Sequence, residues 1–208
     1  MRKALVELAG TFFLVLVIGL TVVPPGAGPF APLAIGAILM VMVYAGGPIS
    51  GGHYNPAVTI AVWLRGKCDT KDVVPYVAAQ VLGAVLATRL VGICKPGGIV
   101  SALAPQVVPV LLVELAFTFA LAFVVLRVAT VKKSAGNAYF GLAIGSTVMA
   151  AAFAAGPISG GAFNPAVAIG LTVMGLSAAG SLWIFLVANL AGGVLAALAF
   201  RLTDPNEP

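Results

Sequence analysis

An all-α membrane protein, with six transmembrane helices plus two re-entrant half-helices in an inverted repeat, is the architecture encoded by this 208-residue chain. Composition points there first. Residues of the AVILMFWYC set make up 61% and charged residues 8%, and the mean hydropathy is +1.13. A soluble domain is about 25% charged, so this chain has too little charge to cover a water-facing surface. That excludes a soluble enzyme and a disordered protein. Hydropathy along the chain comes second, with six apolar stretches near the roughly 20 residues a bilayer requires. An internal repeat with an odd number of spans per half comes third.

The six stretches run over residues 4–23, 33–47, 73–93, 107–129, 137–155 and 179–201, the second being short and extending upstream. The first begins almost at Met1 and is too long for a cleavable signal. Two shorter apolar segments, Asn55–Arg65 and Asn164–Met174, follow the second and fifth spans. Each is closed by a glycine, Gly66 or Gly175, the residue that favours the position just past a helix end. An 11-residue helix rises about 16 Å, roughly half of a hydrocarbon core. Such a segment enters a membrane without crossing it.

The repeat is direct in sequence. Glu7-Leu-Ala-Gly-Thr-Phe12 returns 107 residues on as Glu114-Leu-Ala-Phe-Thr-Phe119. Gly46–Ile60 returns 109 residues on as Ala155–Ile169, with 11 of 15 positions identical. Leu33–Gly36 and Gly83–Ala87 return as Leu142–Gly145 and Gly192–Ala196 at that same offset. The halves are 1–105 and 106–208, within a single channel domain. Three spans per half turn the second half upside down, so a direct repeat becomes an inverted one. Cationic residues test this independently. With both termini cytoplasmic, Arg2, Lys3, Arg65, Lys67, Lys71, Arg127, Lys132, Lys133 and Arg201 all fall inside, and only Arg89 and Lys95 fall outside.

Asn55-Pro56-Ala57 and Asn164-Pro165-Ala166 open the two half-helices. Asn is a favoured N-cap and Pro suits the first helical position. One such triplet is only a helix start. Two copies in an inverted repeat bring two N-termini, each about +0.5 elementary charge, together near the membrane midplane. They repel cations, while each Asn caps its helix through oxygen and offers N–H donors to a lumen. The runs Gly47–Gly52 and Gly156–Gly161 are expected to be non-helical backbone at membrane depth, which is tolerated only in protein or beside water. Gly51, Gly52, His53 and Gly160 are accordingly candidate pore-lining residues.

Together these motifs resemble the aquaporin (major intrinsic protein) family of water and small-solute channels. The likeness covers nearly the whole chain, including Glu7, Glu114 and Trp183-Ile-Phe185 leading into the sixth span. It implies an hourglass pore in each subunit of a homotetramer, in the plasma membrane or a bacterial inner membrane. It implies no cofactor and no catalysis.

Glu7 and Glu114 lie inside apolar spans, where a carboxyl is a functional candidate by default. The reading favoured here is that they accept hydrogen bonds from the re-entrant loops, as the resemblance also implies. A proton relay would need further titratable partners. His53 is read as a hydrogen-bonded wall residue bordering the cytoplasmic half of the pore, ahead of a pH-sensing gate. Cys68 and Cys94 fall near opposite faces and are expected to be free thiols. Trp63 and Trp183 suit interfaces or packing.

The resemblance also locates an outer selectivity filter at Ile35, Ala152, Gly161 and Val167. Water-selective members carry an aromatic residue at the first position and His at the second, and nearly all carry Arg at the fourth. The Asp that follows that Arg in glycerol facilitators is Ala168 here, and their Pro-Leu pair reads Phe185-Leu186. An Arg-less, apolar ring predicts a wide channel for water and small neutral solutes such as glycerol, urea, ammonia and hydrogen peroxide. The rival readings on this architecture are a coupled transporter or ion channel, and a non-conducting scaffold. The partners expected are the solutes, the bilayer and further copies of the chain, and not nucleic acid.

Overall fold

Eight helices follow one another in this computed structural model, which describes residues 1–98, 102–103 and 106–207. They are α1 (Arg2–Val22), α2 (Ala31–Ser50), α3 (Pro56–Leu64), α4 (Thr70–Cys94), α5 (Val107–Ala129), α6 (Phe140–Ser159), α7 (Pro165–Val173) and α8 (Leu182–Thr203). All but α3 and α7 are long and apolar enough to cross a bilayer. The described residues form no strand, only one isolated bridge between Leu103 and Ser177. The expected boundary between the halves at residue 105 lies outside the described residues. Large apolar side chains such as Leu112, Val187 and Leu202 point outward, a surface that suits lipid rather than water.

The glycine runs correct one expectation. Gly47–Ser50 and Gly156–Ser159 are helical, as the last turns of α2 and α6, and only the residues after them leave the helix. Read by composition, Gly and Pro are helix breakers. At membrane depth, however, an unpaired backbone group costs several kcal/mol, so continuing the ladder is the cheaper course. Pro48 and Pro157 each sit in a final turn. Gly51 and Gly160 then close the helices in the left-handed conformation, at φ 91° and 86°. Their N–H groups donate to Gly47 O at 3.0 Å and Gly156 O at 2.9 Å. The second span also gains length, since a 3₁₀ turn over Gly28–Phe30 leads directly into α2.

Helix pairing respects the repeat. α1 lies along α4 and α5 along α8, while α2 meets its own counterpart α6. Each half-helix crosses over: α3 packs on α8 and α7 on α4. Glycine sets the closest of these approaches. A Cβ at Gly192 of α8 would lie 2.7 Å from Leu115 O of α5, and Gly83 of α4 presses likewise on Leu8 O of α1.

Polar contacts identify two faces. On one, Lys3 pairs with Asp72 at 2.7 Å, Arg127 with Asp204, and Arg201 with Leu64 O. This terminal face therefore gathers the starts of α1 and α4 and the ends of α3, α5 and α8. On the far face, Lys95 Nζ donates to Leu20 O and Pro25 O, both at 2.6 Å. There the residues after α7 meet Leu103, whose N–H donates to Leu176 O at 3.0 Å.

Candidate functional site

The two half-helices meet at their N-termini. Asn55 and Asn164 have extended backbone, at φ −156° and −164°, and cap their helices through Oδ1. Asn55 Oδ1 accepts from Ala57 N–H at 2.9 Å. Asn164 Oδ1 accepts from Ala166 N–H at 2.9 Å and Val167 N–H at 3.4 Å. Pro56 and Pro165 occupy the first helical positions, where no N–H is needed. Each carboxamide nitrogen then crosses to the other half. Asn55 Nδ2 donates to Phe163 O at 2.9 Å, and Asn164 Nδ2 donates to Tyr54 O at 2.8 Å. One N–H per Asn is thereby spent, leaving one each for the lumen. Two positive helix ends stand face to face.

Tyr54 and Phe163 make that crossing possible. Both are left-handed, at φ 50° and 48°, a costly conformation for aromatic residues. Both are held at each end of the residue. Their carbonyls receive the Asn amides, and their N–H groups are taken by carboxylates. Glu7 Oε2 accepts from Tyr54 N–H at 2.6 Å and Gln80 Nε2 at 2.8 Å. Its Oε1 accepts from Ser50 Oγ at 2.6 Å and His53 N–H at 3.0 Å. Glu114 repeats the pattern, with Ser159 Oγ at 2.7 Å, Ala162 N–H at 2.9 Å and Phe163 N–H at 2.7 Å. A carboxylate can only accept, so the Asn189 amide turns its nitrogen to Glu114 Oε2 at 3.0 Å and its oxygen to Asn164 N–H at 2.9 Å. Both glutamates are fully buried.

The terminal half adds polar groups that the far half lacks. His53 Nδ1 lies 3.1 Å from Thr59 Oγ1, and the His53 ring meets Tyr76 edge-on at 5.3 Å. Tyr76 Oη donates to Ser50 O at 2.7 Å. The matching residues 109 positions on are Ala162, Ala168 and Phe185.

Three cavities lie in series. A terminal-face cavity of about 380 Å³ is bordered by Lys3, Asp72, Cys68, Tyr76 and His53. A narrow central space of about 30 Å³ holds Asn55, Asn164, Val58 and Val167 on its wall. A far cavity of about 430 Å³ is lined by Ala152, Phe153, Leu103 and Gly160. His53 borders the first two cavities, and Ile35 and Gly161 border the last two. Gly51 faces the terminal cavity and Gly52 the central one. Ala57 and Ala166 are fully buried inside the half-helix starts.

The remaining residues sit apart from this path or at its mouth. Cys68 and Cys94 are free, and burial pushes the Cys68 thiol up from its ordinary value. Trp63 and Trp183 are partly exposed on the outer surface. Sequence reasoning missed Tyr54, Phe163, Ser50, Ser159, Gln80 and Asn189. The repeat offset pairs every one of them and was the signal available. Leu103 carried no signal at all, since it belongs to an ordinary loop brought over the far mouth by pairing with Leu176 and Ala178.

Comparison with known proteins identifies the family. The family model described as "Major intrinsic protein" matches residues 1–200. The chain is 38% identical to "Glycerol uptake facilitator protein-like 6" of Lactiplantibacillus plantarum, over all of both chains. It is 35% identical to "Aquaporin NIP1-1" of Zea mays, over 97% of this chain and 74% of that protein. Its fold matches the crystal structure of the aquaglyceroporin from Plasmodium falciparum at a TM-score of 0.77 and 23% identity, covering 98% and 97% of the two chains. The chain therefore belongs to the major intrinsic protein family, and is a passive membrane channel for water and small neutral solutes.

Proposed function

We propose that this channel passes solutes of glycerol and urea size as well as water, and that its outer ring of Ile35, Ala152, Gly161 and Val167 is wide and apolar. The observation that carries the reading is the ring's chemistry: none of the four presents a polar side-chain head. Val167 stands on the central wall where most relatives by resemblance carry Arg, and Ala152 and Gly161 are too small to fill the space. The relative in Lactiplantibacillus plantarum named "Glycerol uptake facilitator protein-like 6" supports the same reading. A solute sheds its water in the central space, accepts a hydrogen bond from the remaining N–H of Asn55 or Asn164, and slides along Val58 and Val167. No covalent bond is made or broken, so the protein is not an enzyme and needs no cofactor. Cations meet two helix N-termini, each about +0.5 charge, and among the described residues no carboxylate lines the central space.

Residues 1–208 form one channel domain built from halves 1–105 and 106–208. The terminal face, which collects nine of the eleven Lys and Arg residues, lies in the cytoplasm by the distribution of positive charge. The membrane is the plasma membrane, or the inner membrane of a bacterium. The outward apolar surface accommodates lipid and, by family resemblance, three further copies in a homotetramer.

Stopped-flow measurements on proteoliposomes test the reading. The wild type should pass water, glycerol, urea and ammonia without saturation or an ion gradient. Val167→Arg should cut glycerol and urea flux more than water flux. A wild type that passes water yet excludes glycerol and urea as strictly as an Arg-bearing channel would overturn the wide ring. Saturating or ion-coupled flux would instead indicate a transporter, and no flux a scaffold.

A further inference from the structure

Polar side chains are unevenly divided along the lumen. Toward the far face, the ring of four offers none. Toward the terminal face, His53 stands in the neck between the central space and the terminal cavity. It is 8% exposed, so the ring is packed on most sides and opens on the path alone.

The direction of its hydrogen bond follows from its neighbours. Thr59 Oγ1 carries one hydrogen. The carbonyl of Asn55 lies 3.0 Å away, one turn back along α3, where a helical Thr normally donates. Two oxygens at that distance with no hydrogen between them would repel, so the hydrogen goes there. Gln80 Nε2 lies 3.0 Å from Thr59 Oγ1 and can only donate. It also donates to Glu7, which fixes its orientation. His53 Nδ1, at 3.1 Å, therefore meets a Thr59 lone pair and must itself carry a hydrogen. In the neutral ring, Nε2 is then a bare acceptor.

Among the described residues, nothing bonds to Nε2. It sits over Gly51, where a Cβ would come within 2.9 Å. The Tyr76 ring packs against the imidazole in a T-shaped arrangement. Elsewhere on the central wall the side-chain oxygens are already engaged in other bonds. Asn55 Oδ1 and Asn164 Oδ1 cap their helices, and the Tyr54 hydroxyl donates to Met42 O at 2.9 Å.

We infer that His53 is locked by Thr59 as the Nδ1–H tautomer and is a specificity-determining residue of the channel, its Nε2 being a side-chain acceptor that the inner neck presents to a passing solute. This rests on the channel reading above. The centre thus offers donors and the inner neck an acceptor. The chemical class that satisfies both is a small neutral molecule bearing O–H or N–H groups as well as a lone pair. Discrimination moves from the outer ring, which has no side-chain hydrogen-bonding head, to the inner neck.

Two measurements test this. His53 is the chain's one histidine, so ¹⁵N-histidine labelling gives a single imidazole in magic-angle-spinning NMR of the reconstituted protein. At mildly alkaline pH the proton should be on Nδ1 and Nε2 should be bare. A proton on Nε2 overturns the inference. Thr59→Val should release the lock and let the Nε2–H form appear. The second measurement is flux. His53→Phe keeps a ring of similar size and removes the acceptor. A solute that fills the neck then loses one of its bonding partners there, whereas water keeps bonds to its neighbours in the file. Glycerol-to-water and urea-to-water flux ratios should fall several-fold in His53→Phe, and in the same direction but less in Thr59→Val. Unchanged ratios in both variants, with a conducting wild type, overturn this inference and leave the channel reading standing. A wild type that conducts nothing overturns both. If His53→Phe does not assemble, the tautomer and the Thr59→Val ratios decide.

Discussion

Glu7, like Glu114, accepts four hydrogen bonds. Its two oxygens accept from two backbone N–H groups, one hydroxyl and one amide, in a site with no exposure. Glu7→Gln must turn an NH₂ toward one of those donor pairs, leaving donors opposed. A loss of roughly 2–3 kcal/mol is expected from bonds to a charged group replaced by unsatisfied ones, read as a lower melting temperature in detergent. A Gln variant that melts like the wild type but does not conduct would instead place Glu7 in permeation. Asn164 makes the complementary case. Asn164→Asp removes the N–H that reaches Tyr54 O and adds a negative charge that offsets about +0.5 from the helix end. Cation leak through proteoliposomes should rise. Unchanged cation exclusion would sink the electrostatic account of the barrier.

Between helices, glycine is required by close contact at some positions and by nothing in its surroundings at others. Gly192 faces Leu115 O across the α5–α8 crossing, whereas a Cβ at Gly92 of α4 meets nothing within 4 Å. Gly192→Ala should therefore push the two helices apart, at a cost of about 1–3 kcal/mol. Gly92→Ala should be neutral or stabilising by up to about 1 kcal/mol through helix propensity. Thermal unfolding of the two variants side by side checks the contrast, and equal effects would mean the α5–α8 crossing is not limited by backbone approach. The crossings with α3 and α7 have the same logic. Half-helices are too short to hold themselves, and each is fixed by the third span of the opposite half.

Across the whole molecule, the C-terminal residues tie the terminal face together. Asp204 pairs with Arg127 and accepts from the Thr203 hydroxyl at 2.9 Å. Glu207 approaches Arg65, at the end of α3, to 3.8 Å. Partial burial raises the Asp204 carboxyl, but the bonds from Thr203 and Arg127 and the charges of Arg127 and Lys133 outweigh it and hold it below the ordinary 3.8. A carboxyl lowered in the folded state stabilises fully above its unfolded value and loses that contribution as pH falls through its folded value. The latch should thus hold at neutral pH and release only below about pH 4. Asp204→Asn should lower the neutral-pH melting temperature and weaken its acid dependence. An identical acid limb in that variant would show that Asp204 does not contribute.

Much of this architecture was already legible along the chain. Six spans, two half-helices, their Asn caps, their closing glycines and the twofold relation of the halves all follow from hydropathy, capping chemistry and spacing. Those properties act within about one helical turn or recur at a fixed offset, so neighbouring residues are enough to reveal them. The continuation of α2 and α6 through Pro48 and Pro157 was not legible, because propensity is measured in water and the bilayer changes what an open backbone costs. Nor were the left-handed Tyr54 and Phe163, the roles of Gln80 and Asn189, or the bare nitrogen of His53. Each depends on which way hydrogen bonds run between residues brought together from different elements. A sequence lists donors and acceptors, and only the packed helices decide which pairs meet and which atom is left facing the lumen.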